Sequence, residues 1–434
     1  MNEANNRPLA LELHLESTLH GYATVTISPT IVNLVYREAI QSQQIIVHAQ
    51  GYSRGTTPLE YIETNLKSTL TEHVKEFLLN FWVINFVYEE LRKQKIVIAG
   101  LPRLYSIDVN PPDKAIFTFE VSLAPQLQLL EWHYFPFKTP KRKNYKDLDR
   151  QVDLFIKEEK DNLKKNNAVI LNLGDWVHFD ITLADSNNKP YENIPKESLW
   201  LRLGEEEVDS SLCDLFLEKK INDHFYSKSS GLQEYFSSQL ATNYNFGIKI
   251  NDTVKNSYFC LEQFKKHFRL KSNKETQQKL IEIFSYRNDI SLRRSIAEES
   301  LKLLLTKHKF DIPHHLVLRQ QQILLDIIQT NPDYHVYRAQ KDFQMRLGQL
   351  AEKQAKEAIL IDHIAYYEDL DVADQDLKGY INLMQRPRTK EFIYFDPPLT
   401  KYNGQESPIS TPFLKQNCMR EKTLNHIIHH LIKQ

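Results

Sequence analysis

Cysteine and glycine are both scarce in this chain, with three and 11 among its 434 residues. Three cysteines far apart in the sequence provide neither a disulfide framework nor the paired spacing of a zinc site, and they favour a reducing compartment. The low glycine content disfavours an enzyme that cradles phosphate in a Gly-rich loop, and neither Gly-x-Gly-x-x-Gly, a Walker loop nor His-Glu-x-x-His occurs. We therefore expect no nucleotide, no other cofactor and no metal.

The chain also lacks a strong charge of one sign and a long apolar run. Lysine and arginine number 55 against 56 acidic residues, and the net charge of −1 argues against DNA binding through bulk charge. The most apolar run, residues 77–88, contains Asn80 and Asn85 and is too short for a membrane span. Residues 1–15 lack the basic-then-apolar pattern of a signal peptide. We therefore expect a cytoplasmic protein that binds neither membrane nor DNA.

The most informative stretch is residues 51–58, with the sequence Gly-Tyr-Ser-Arg-Gly-Thr-Thr-Pro. Its two glycines and its proline predict a tight exposed loop whose tip carries an aromatic ring and a guanidinium. Thr57 is predicted to cap the following helix, with Pro58 as the first helical residue and Glu60 completing a capping box. Apolar residues then recur at steps of three and four and predict a helix with one apolar face: Ile62, Leu66, Leu70, Val74, Phe77, Phe81, Ile84, Tyr88 and Leu91.

The segments on either side of this loop predict a small α+β domain. Residues 9–27 alternate as strands, and residues 115–123 alternate as a further strand. Residues 30–43 have a helical pattern that Pro29 opens. The order strand, helix, loop, helix, strand predicts a sheet that packs on both helices.

The loop resembles the ribosome-docking element of trigger factor, which has the pattern Gly-Phe-Arg-Lys-Gly-Lys-x-Pro before a helix. Both glycines and the proline match, an aromatic residue is kept, and three family cations are reduced to one. The family's N-terminal domain has the same order of elements and a closing strand with the pattern Phe-x-Phe-x-Val. The missing cations predict weaker ribosome binding than that of a full loop. The resemblance implies that the ribosome-binding residues are Gly51, Tyr52, Ser53, Arg54, Gly55 and Pro58.

A connector follows at residues 127–145. Its prolines and the basic run at residues 138–143 predict an exposed, extended segment. The basic run is either a solvated linker or an additional RNA contact. Residues 147–166 then have the pattern of a charged helix.

Residues 168–268 resemble the FKBP-like prolyl isomerase module in the middle of trigger factors. Strands are predicted at residues 176–183 and 199–204, with residues 257–261 as a candidate for another. The family's Val/Ile-Ile-Pro-Gly-aromatic segment is not matched at residues 208–212, so isomerase activity is uncertain, is expected to be weak or lost, and no catalytic residue is assigned. Five aromatic residues either line a pocket or belong to the core: Phe179, Tyr191, Phe216, Phe225 and Tyr258.

The last third of the chain is predicted to be helical. The resemblance continues there through the runs Phe-Asp-Ile-Pro at residues 310–313 and Gln-Ala-Lys at residues 354–356. It implies helical arms that hold unfolded chains through scattered apolar patches and that lie in space between the middle module and the docking domain. The predicted helices are residues 291–308, 314–330, 342–369 and 419–433, with a proline-containing loop at residues 387–412.

Apolar residues in these helices outnumber those that one thin arm can bury. We expect most of them to pack arm against arm and a minority to remain exposed. The residues concerned are Leu316, Leu324, Ile327, Ile359, Ile364, Tyr366, Tyr367, Phe392, Ile393, Tyr394 and Phe395.

Two polar clusters are candidate sites. His426, His429 and His430 can form a metal-binding face on the last helix, but no cysteine or carboxylate neighbours them in the sequence. An exposed amphipathic helix end is the preferred interpretation. The glutamates at residues 205–207 have no basic or catalytic companion and predict a solvated turn.

Taken together, these patterns predict a multidomain α+β protein. We expect a small α+β ribosome-docking domain at residues 1–130 and a linker with a helix at residues 131–167 that packs on the C-terminal domain. A degenerate FKBP-like, β-rich module is expected at residues 168–268, and an elongated all-α domain with arms at residues 269–434.

The implied function is that of an ATP-independent, ribosome-associated chaperone. Its expected partners are exit-site protein, rRNA and unfolded nascent polypeptides, and it is expected to be a monomer or weak homodimer. Two alternatives stay open. One is an FKBP-like peptidyl-prolyl isomerase with weakened ribosome docking, and the other is a scaffold protein with neither activity.

Overall fold

The computed structural model describes residues 7–141, 146–166, 169–204, 211–329, 331–397, 401–402 and 405–433. These residues form the predicted α+β multidomain fold, with two antiparallel sheets and a helical C-terminal region. None of the helices in this part of the chain has the length and apolarity needed to cross a membrane.

The N-terminal sheet has four strands in the order β1-β2-β4-β3. Alternate residues of the two central strands point to one face of the sheet. On this face Val25 pairs with Phe117, and both are fully buried. This face is the apolar side on which the N-terminal helices pack. The strands are β1 (Leu9–Leu15), β2 (His20–Ile27), β3 (Arg103–Val109) and β4 (Ala115–Ser122).

The helices on this sheet are α1 (Pro29–Ile46), α2 (Leu59–Leu78) and α3 (Ile84–Lys93). A π-helical turn, Leu79–Val83, joins α2 to α3 without a break. The extra residue of such a turn shifts the helical face, and three successive side chains, Phe81, Trp82 and Val83, are buried there. The predicted long apolar helix is therefore confirmed, although the sequence pattern did not indicate its π turn.

The predicted helix cap at Thr57 is wrong. Helix α2 begins at Leu59, and its first bonds run from the N–H groups of Tyr61 and Ile62 to the carbonyl of Pro58, which occupies the N-cap position. Thr57 is fully buried, and its hydroxyl makes no hydrogen bond to any described residue. Pro58 has an extended backbone and takes the N-cap position predicted for Thr57. The predicted capping box of Thr57 and Glu60 therefore does not form.

The middle sheet has five strands in the order β13-β6-β5-β8-β7. Four of them come from the middle of the chain: β5 (Trp176–Ala184), β6 (Glu197–Arg202), β7 (His224–Ser227) and β8 (Asn245–Val254). The fifth, β13 (Ile409–Ser410), comes from the C-terminal region and pairs with β6. The candidate strand at residues 257–261 is wrong, since α7 (Leu261–His267) begins there after an irregular stretch. Two short helices complete the module, α5 (Ser211–Asp214) and α6 (Ser230–Phe236).

The middle module packs directly on α2, the π turn and α3. Nε1 of Trp82 donates to the carbonyl of Pro195 at 2.8 Å, and Nδ2 of Asn80 donates to the carbonyl of Phe236 at 3.0 Å. The apolar side chains of both parts form one continuous core. The placement of the helical arms between the two parts, which the resemblance implied, is therefore wrong for this chain.

The two faces of the middle sheet contribute to two cores because side chains alternate along each strand. Val177, Phe179 and Ile181 belong to the core shared with the N-terminal helices. Trp176 and Trp200 belong to a second core formed with the C-terminal helices. The sheet is thus a layer between the first and last parts of the chain.

The C-terminal region is helical, as predicted, with small differences in bounds. The expected loop at residues 387–412 is shorter than predicted because Pro387 and Pro412 each open a helix, a position where proline is tolerated. The remaining helices are α8 (Asn273–Phe284), α9 (Leu292–Lys307), α10 (His314–Gln329), α11 (Tyr334–Arg338), α12 (Phe343–Tyr367), α13 (Asp374–Met384), α14 (Pro387–Lys390) and α15 (Thr411–Ile432). Two ribbons lie between them, β9 (Tyr286–Arg287) with β10 (Ile290–Ser291) and β11 (Lys401–Tyr402) with β12 (Gln405–Glu406).

The connector between the two sheets is only partly exposed. Trp132 is fully buried against α9, α12 and α15, and the neighbouring apolar residues of the connector pack on the same core. The expectation of an exposed segment is only partly right up to residue 137, because alternate apolar residues there pack on the helices while the residues between them are exposed. In the basic run, Lys138 and Lys141 are exposed, and residues 142–143 lie outside the described ranges. Helix α4 (Lys146–Lys165) packs on α7 and α8.

A buried carboxyl group at the interface of α3 and the middle sheet makes the stability of the protein depend on pH. Nδ2 of Asn85 donates to Oε2 of Glu197 at 2.6 Å, and burial raises the pKa of Glu197 to about 8. The folded protein therefore holds this proton up to about pH 8, whereas the unfolded chain loses it near pH 4.5. The stabilisation due to the proton is complete below pH 4.5 and is lost as the pH rises through 8.

We predict that Glu197→Gln raises the apparent melting temperature at pH 8.5 and removes much of its decline between pH 5 and pH 8.5. The expected gain is about 1–3 kcal/mol, because glutamine keeps the hydrogen bond from Asn85 without the buried charge. Differential scanning calorimetry over this pH range measures it. Glu192→Gln, in which the exposed carboxylate of the same segment is removed, is the control. An identical pH dependence in wild type and Glu197→Gln would contradict the prediction.

Candidate functional site

The loop at residues 51–58 lies at the exposed junction of α1 and α2. Residues 51–56 are exposed, and Pro58 is exposed as well. Gly51 and Gly55 have φ angles of +89° and +84°, a left-handed conformation that favours glycine. Both the N–H and the hydroxyl of Thr56 donate to the carbonyl of Ser53, at 3.0 and 2.8 Å. The loop is therefore held in shape by its own backbone and presents its side chains outward.

The loop carries an exposed aromatic ring and a guanidinium group. Tyr52 is 40% exposed, and its ring lies 5.6 Å from that of Tyr61 in the first turn of α2. Nε of Arg54 donates to the carbonyl of Ile45 at 3.1 Å, which orients the guanidinium. Within the residues that the structure describes, Arg54 forms no ion pair. We call the loop together with Tyr61 the tip; all six predicted ribosome-binding residues belong to it.

Sequence reasoning missed Tyr61. This residue is 40% exposed and lies off the apolar face of α2. A tyrosine on the polar face of a helix is only a weak indication of a binding site in a sequence. Its proximity to Tyr52 depends on how the loop folds back onto α2. Ile45 and Leu59 are also exposed beside the loop and add an apolar rim.

The first five residues of the tip also match Gly-x-Ser-x-Gly, the pattern of a hydrolase nucleophile elbow. Such an elbow places its serine between a strand and a helix and needs a histidine as base. Here the loop joins two helices, and no hydrogen bond links the Ser53 hydroxyl to a histidine in the described chain. The geometry therefore does not support a nucleophilic serine.

The other end of α2 is clamped to the middle module through His73, which is fully buried. Its Nδ1 lies 2.9 Å from Oγ of Ser237, and its Nε2 lies 2.7 Å from the hydroxyl of Tyr244. The Ser237 hydroxyl donates to Glu76 at 2.6 Å, so it accepts from Nδ1–H of His73. Burial lowers the pKa of His73 to about 4, and the ring is neutral near pH 7. These contacts join this end of α2 to the middle module.

The aromatic residues proposed for an isomerase pocket do not converge on one cavity. Phe179 and Phe216 are fully buried with ring centroids 4.6 Å apart, so for these two the core interpretation is confirmed. The hydroxyl of Tyr191 donates to Glu38 of α1 at 2.6 Å. Lys219 covers the ring of Phe225 at 5.2 Å, and Tyr258 lies outside the core that holds the others. Residues 208–210 of the unmatched active-site segment and the glutamates at 205–207 lie outside the described residues.

Helices α10, α11 and α12 form a hairpin, which we call the limb. Its base touches the N-terminal sheet, where Nε2 of His315 lies 3.2 Å from Oγ of Ser122. Beyond the base, α10 packs mainly on α12, which has 25 residues and is about 37 Å long. Beyond the base, a small separate cluster of Leu324, Leu347 and Ala351 is buried between α10 and α12, and α11 at the end of the limb has no buried residue.

Large apolar side chains are exposed along the limb. Val336 and Met345 are 65% and 60% exposed near its end. Of the 11 apolar residues expected mostly to pack, only Ile327 and Tyr367 are exposed, which confirms that expectation. Sequence reasoning did not identify most of the exposed apolar residues of the limb. Their exposure depends on which face of each helix packs on the other helix of the hairpin. The exposed apolar residues are Leu318, Ile323, Ile327, Val336, Tyr337, Met345, Leu350 and Tyr367.

The histidines of α15 have partners that the sequence did not indicate. His426 and His430 lie close to His133 of the connector, whereas His429 is exposed. The carboxylate of Glu368 at the end of α12 also lies beside His133 and His426. The expectation that no carboxylate neighbours these histidines holds in the sequence but is wrong in space.

Comparison with known proteins assigns both ends of the chain to one family. Residues 11–157 match the sequence model of the bacterial trigger factor protein, and residues 274–429 match that of its C-terminus. Together the two matches cover well over half of the 434 residues. The tip lies within the first match and the limb within the second.

Curated relatives agree over most of their lengths. Trigger factor of Campylobacter jejuni is 21% identical over 436 residues, which cover 94% of each chain. Trigger factor of Fusobacterium nucleatum is 23% identical, with 88% of this chain and 90% of the relative covered. A solved structure of a trigger factor chaperone aligns with 97% of this chain and all of its own, at 12% identity and a TM-score of 0.39. On the two family matches and these relatives, the chain belongs to the trigger factor family.

Proposed function

We propose that this protein docks on the ribosome through the tip and holds unfolded nascent chains on the limb without using nucleotide. Membership of the family makes it a ribosome-associated chaperone. In our proposal, residues 1–130 dock, residues 269–434 hold clients, and residues 131–268 connect the two. The protein acts in the cytoplasm as a monomer or weak homodimer. The observation that carries the proposal is the exposed, preformed tip on a clamped helix.

The chemistry of the tip suits a surface of rRNA and ribosomal protein near the polypeptide exit. A guanidinium pairs with phosphate or carboxylate groups, and Arg54 is the one cation of residues 51–58. The adjacent rings of Tyr52 and Tyr61 offer a stacking surface for a base or a flat side chain. The rigid helix limits the conformational entropy lost on docking. Aromatic contacts thus replace part of the attraction that the missing family cations would supply.

The limb suits clients that have no fixed shape. Scattered exposed apolar side chains on a rigid hairpin can contact many sequences, whereas a deep pocket selects one. The base of the limb lies near the N-terminal sheet, so docking by the tip would place the limb where a nascent chain emerges. Within the described residues, Phe179 and Phe216 are buried in the core and do not favour the isomerase alternative.

We predict that Tyr52→Ala combined with Arg54→Ala lowers ribosome affinity about tenfold or more. The reason is that both changes remove the contacts of the tip without touching a buried residue. Co-sedimentation of the purified protein with ribosomes over a range of salt concentrations measures the affinity.

The matched control is Arg103→Ala with Tyr105→Ala, which removes an exposed arginine and tyrosine from the sheet edge of the same domain. This control should bind like wild type. Ser53→Arg, which restores one family cation, should tighten binding and steepen its salt dependence. Unchanged binding by the double variant at the tip would refute its role.

We also predict that Val336→Ser with Met345→Ser weakens the suppression of client aggregation. Both side chains are exposed, so the melting temperature should stay nearly constant, with a change in stability within about 0.5 kcal/mol. Light scattering of a chemically unfolded client, diluted into buffer with each variant, measures the effect. The control is Leu154→Ser with Leu163→Ser, two exposed leucines of α4. Equal suppression by both double variants would show that the limb end does not hold clients.

A further inference from the structure

Three separate parts of the chain meet at a cluster of histidines away from the tip and the limb end. His133 comes from a short 3-10 turn of the connector, Trp132–Tyr134. His426 and His430 lie four residues apart on α15, so both project from one side of the helix. One ring nitrogen of each of the three histidines lies within 4.8 Å of those of the other two.

A carboxylate completes the cluster. Oε1 of Glu368 lies 3.4 Å from Nε2 of His133, and Oε2 lies 3.8 Å from Nε2 of His426. Glu368 caps the C-terminal end of α12, so its side chain is fixed by a long helix. Three imidazoles thus lie together, and the carboxylate of Glu368 lies beside two of them, so that three separate backbone segments supply the cluster.

The polar atoms of this cluster lack ordinary partners. Within the described residues, both ring nitrogens of His426 are buried and make no hydrogen bond, and Oε1 of Glu368 makes none either, its neighbour being Nε2 of His133 at 3.4 Å. Buried polar atoms of this kind are rare in native proteins because each unsatisfied group is destabilising. The ring of Trp132 lies 5.9 Å from that of His426, and its buried Nε1 makes no hydrogen bond within the described residues. The described protein groups therefore leave some of the polar atoms of this cluster without a hydrogen-bond partner.

We propose that His133, His426, His430 and Glu368 bind one divalent transition metal ion, of which Zn²⁺ is the representative. Imidazole nitrogens and a carboxylate oxygen are standard ligands for Zn²⁺, and four of them satisfy its preferred tetrahedral geometry. Zn–N distances of about 2.1 Å place tetrahedral ligand atoms roughly 3.4 Å apart. The rings must move inward by about 1 Å, which small changes of the side-chain torsions provide.

Such an ion would act as a structural clamp. It would join three segments: the connector that follows the N-terminal sheet, helix α12 of the limb, and helix α15. Helix α15 directly follows β13, a strand of the middle sheet. Four protein ligands leave no open position for a substrate, which is typical of structural sites. Metal binding would therefore stabilise the relative arrangement of the chain's three parts.

The test uses untagged full-length protein and Zn²⁺ or Co²⁺ as the probe. After dialysis against excess Zn²⁺ and removal of free metal, mass spectrometry of the metal content should give one ion per chain. Co²⁺ should produce the strong visible absorption of a tetrahedral site. The melting temperature should rise with either ion and fall back when a chelator is added.

The combined variant His426→Asn with His430→Asn should lose the bound ion, the Co²⁺ spectrum and the metal-dependent rise in melting temperature. His429→Asn is the control, because this exposed histidine is adjacent to the site but outside it. If the combined variant does not fold, His133→Asn and Glu368→Gln, each on a different segment, should lower Zn²⁺ affinity at least tenfold. No stoichiometric metal in the wild type, or full retention by these variants, would overturn the proposal.

Discussion

Helix α2 is fixed to the middle module by a buried group of polar and aromatic side chains around His73, and the position of the tip depends on this contact. The ring of His73 stacks on that of Tyr244 at 5.6 Å and hydrogen-bonds to it and to Ser237. Glu76, one turn further on, accepts from the hydroxyl of Ser237 and from the N–H of Ser238. A neutral buried histidine with both nitrogens satisfied orients its neighbours more strictly than an apolar contact would.

This contact has consequences at both faces of the middle sheet. On one side, the π turn buries Phe81 and Trp82 against the module, so the aromatic residues there are core rather than pocket. On the other side, Trp176 and Trp200 anchor the C-terminal helices. The chain thus presents the two surfaces to which we assign ribosome docking and client binding, the tip and the limb. The N-terminal domain, the middle module and the C-terminal helices pack on one another through shared cores.

The sequence predicted what local chemistry determines and missed what depends on distant segments. The loop was found because Gly51, Gly55 and Pro58 impose their backbone preferences wherever they occur. The helix cap was misplaced because Thr57 turns its side chain into the protein, a choice made by tertiary packing. The neighbours of His426 could not be predicted, since His133 and Glu368 are brought to it only by folding. The direct packing of the middle module on α2 was missed for the same reason.

Hydrogen–deuterium exchange of the free and the ribosome-bound protein tests the central claim most directly, namely that a clamped helix presents an exposed docking loop. We expect slow exchange at residues 70–83 in both states, fast exchange at residues 51–58 in the free protein, and protection of residues 51–58 on the ribosome. Exchange at residues 70–83 as fast as in the loop, or a loop unaffected by ribosomes, would contradict the account.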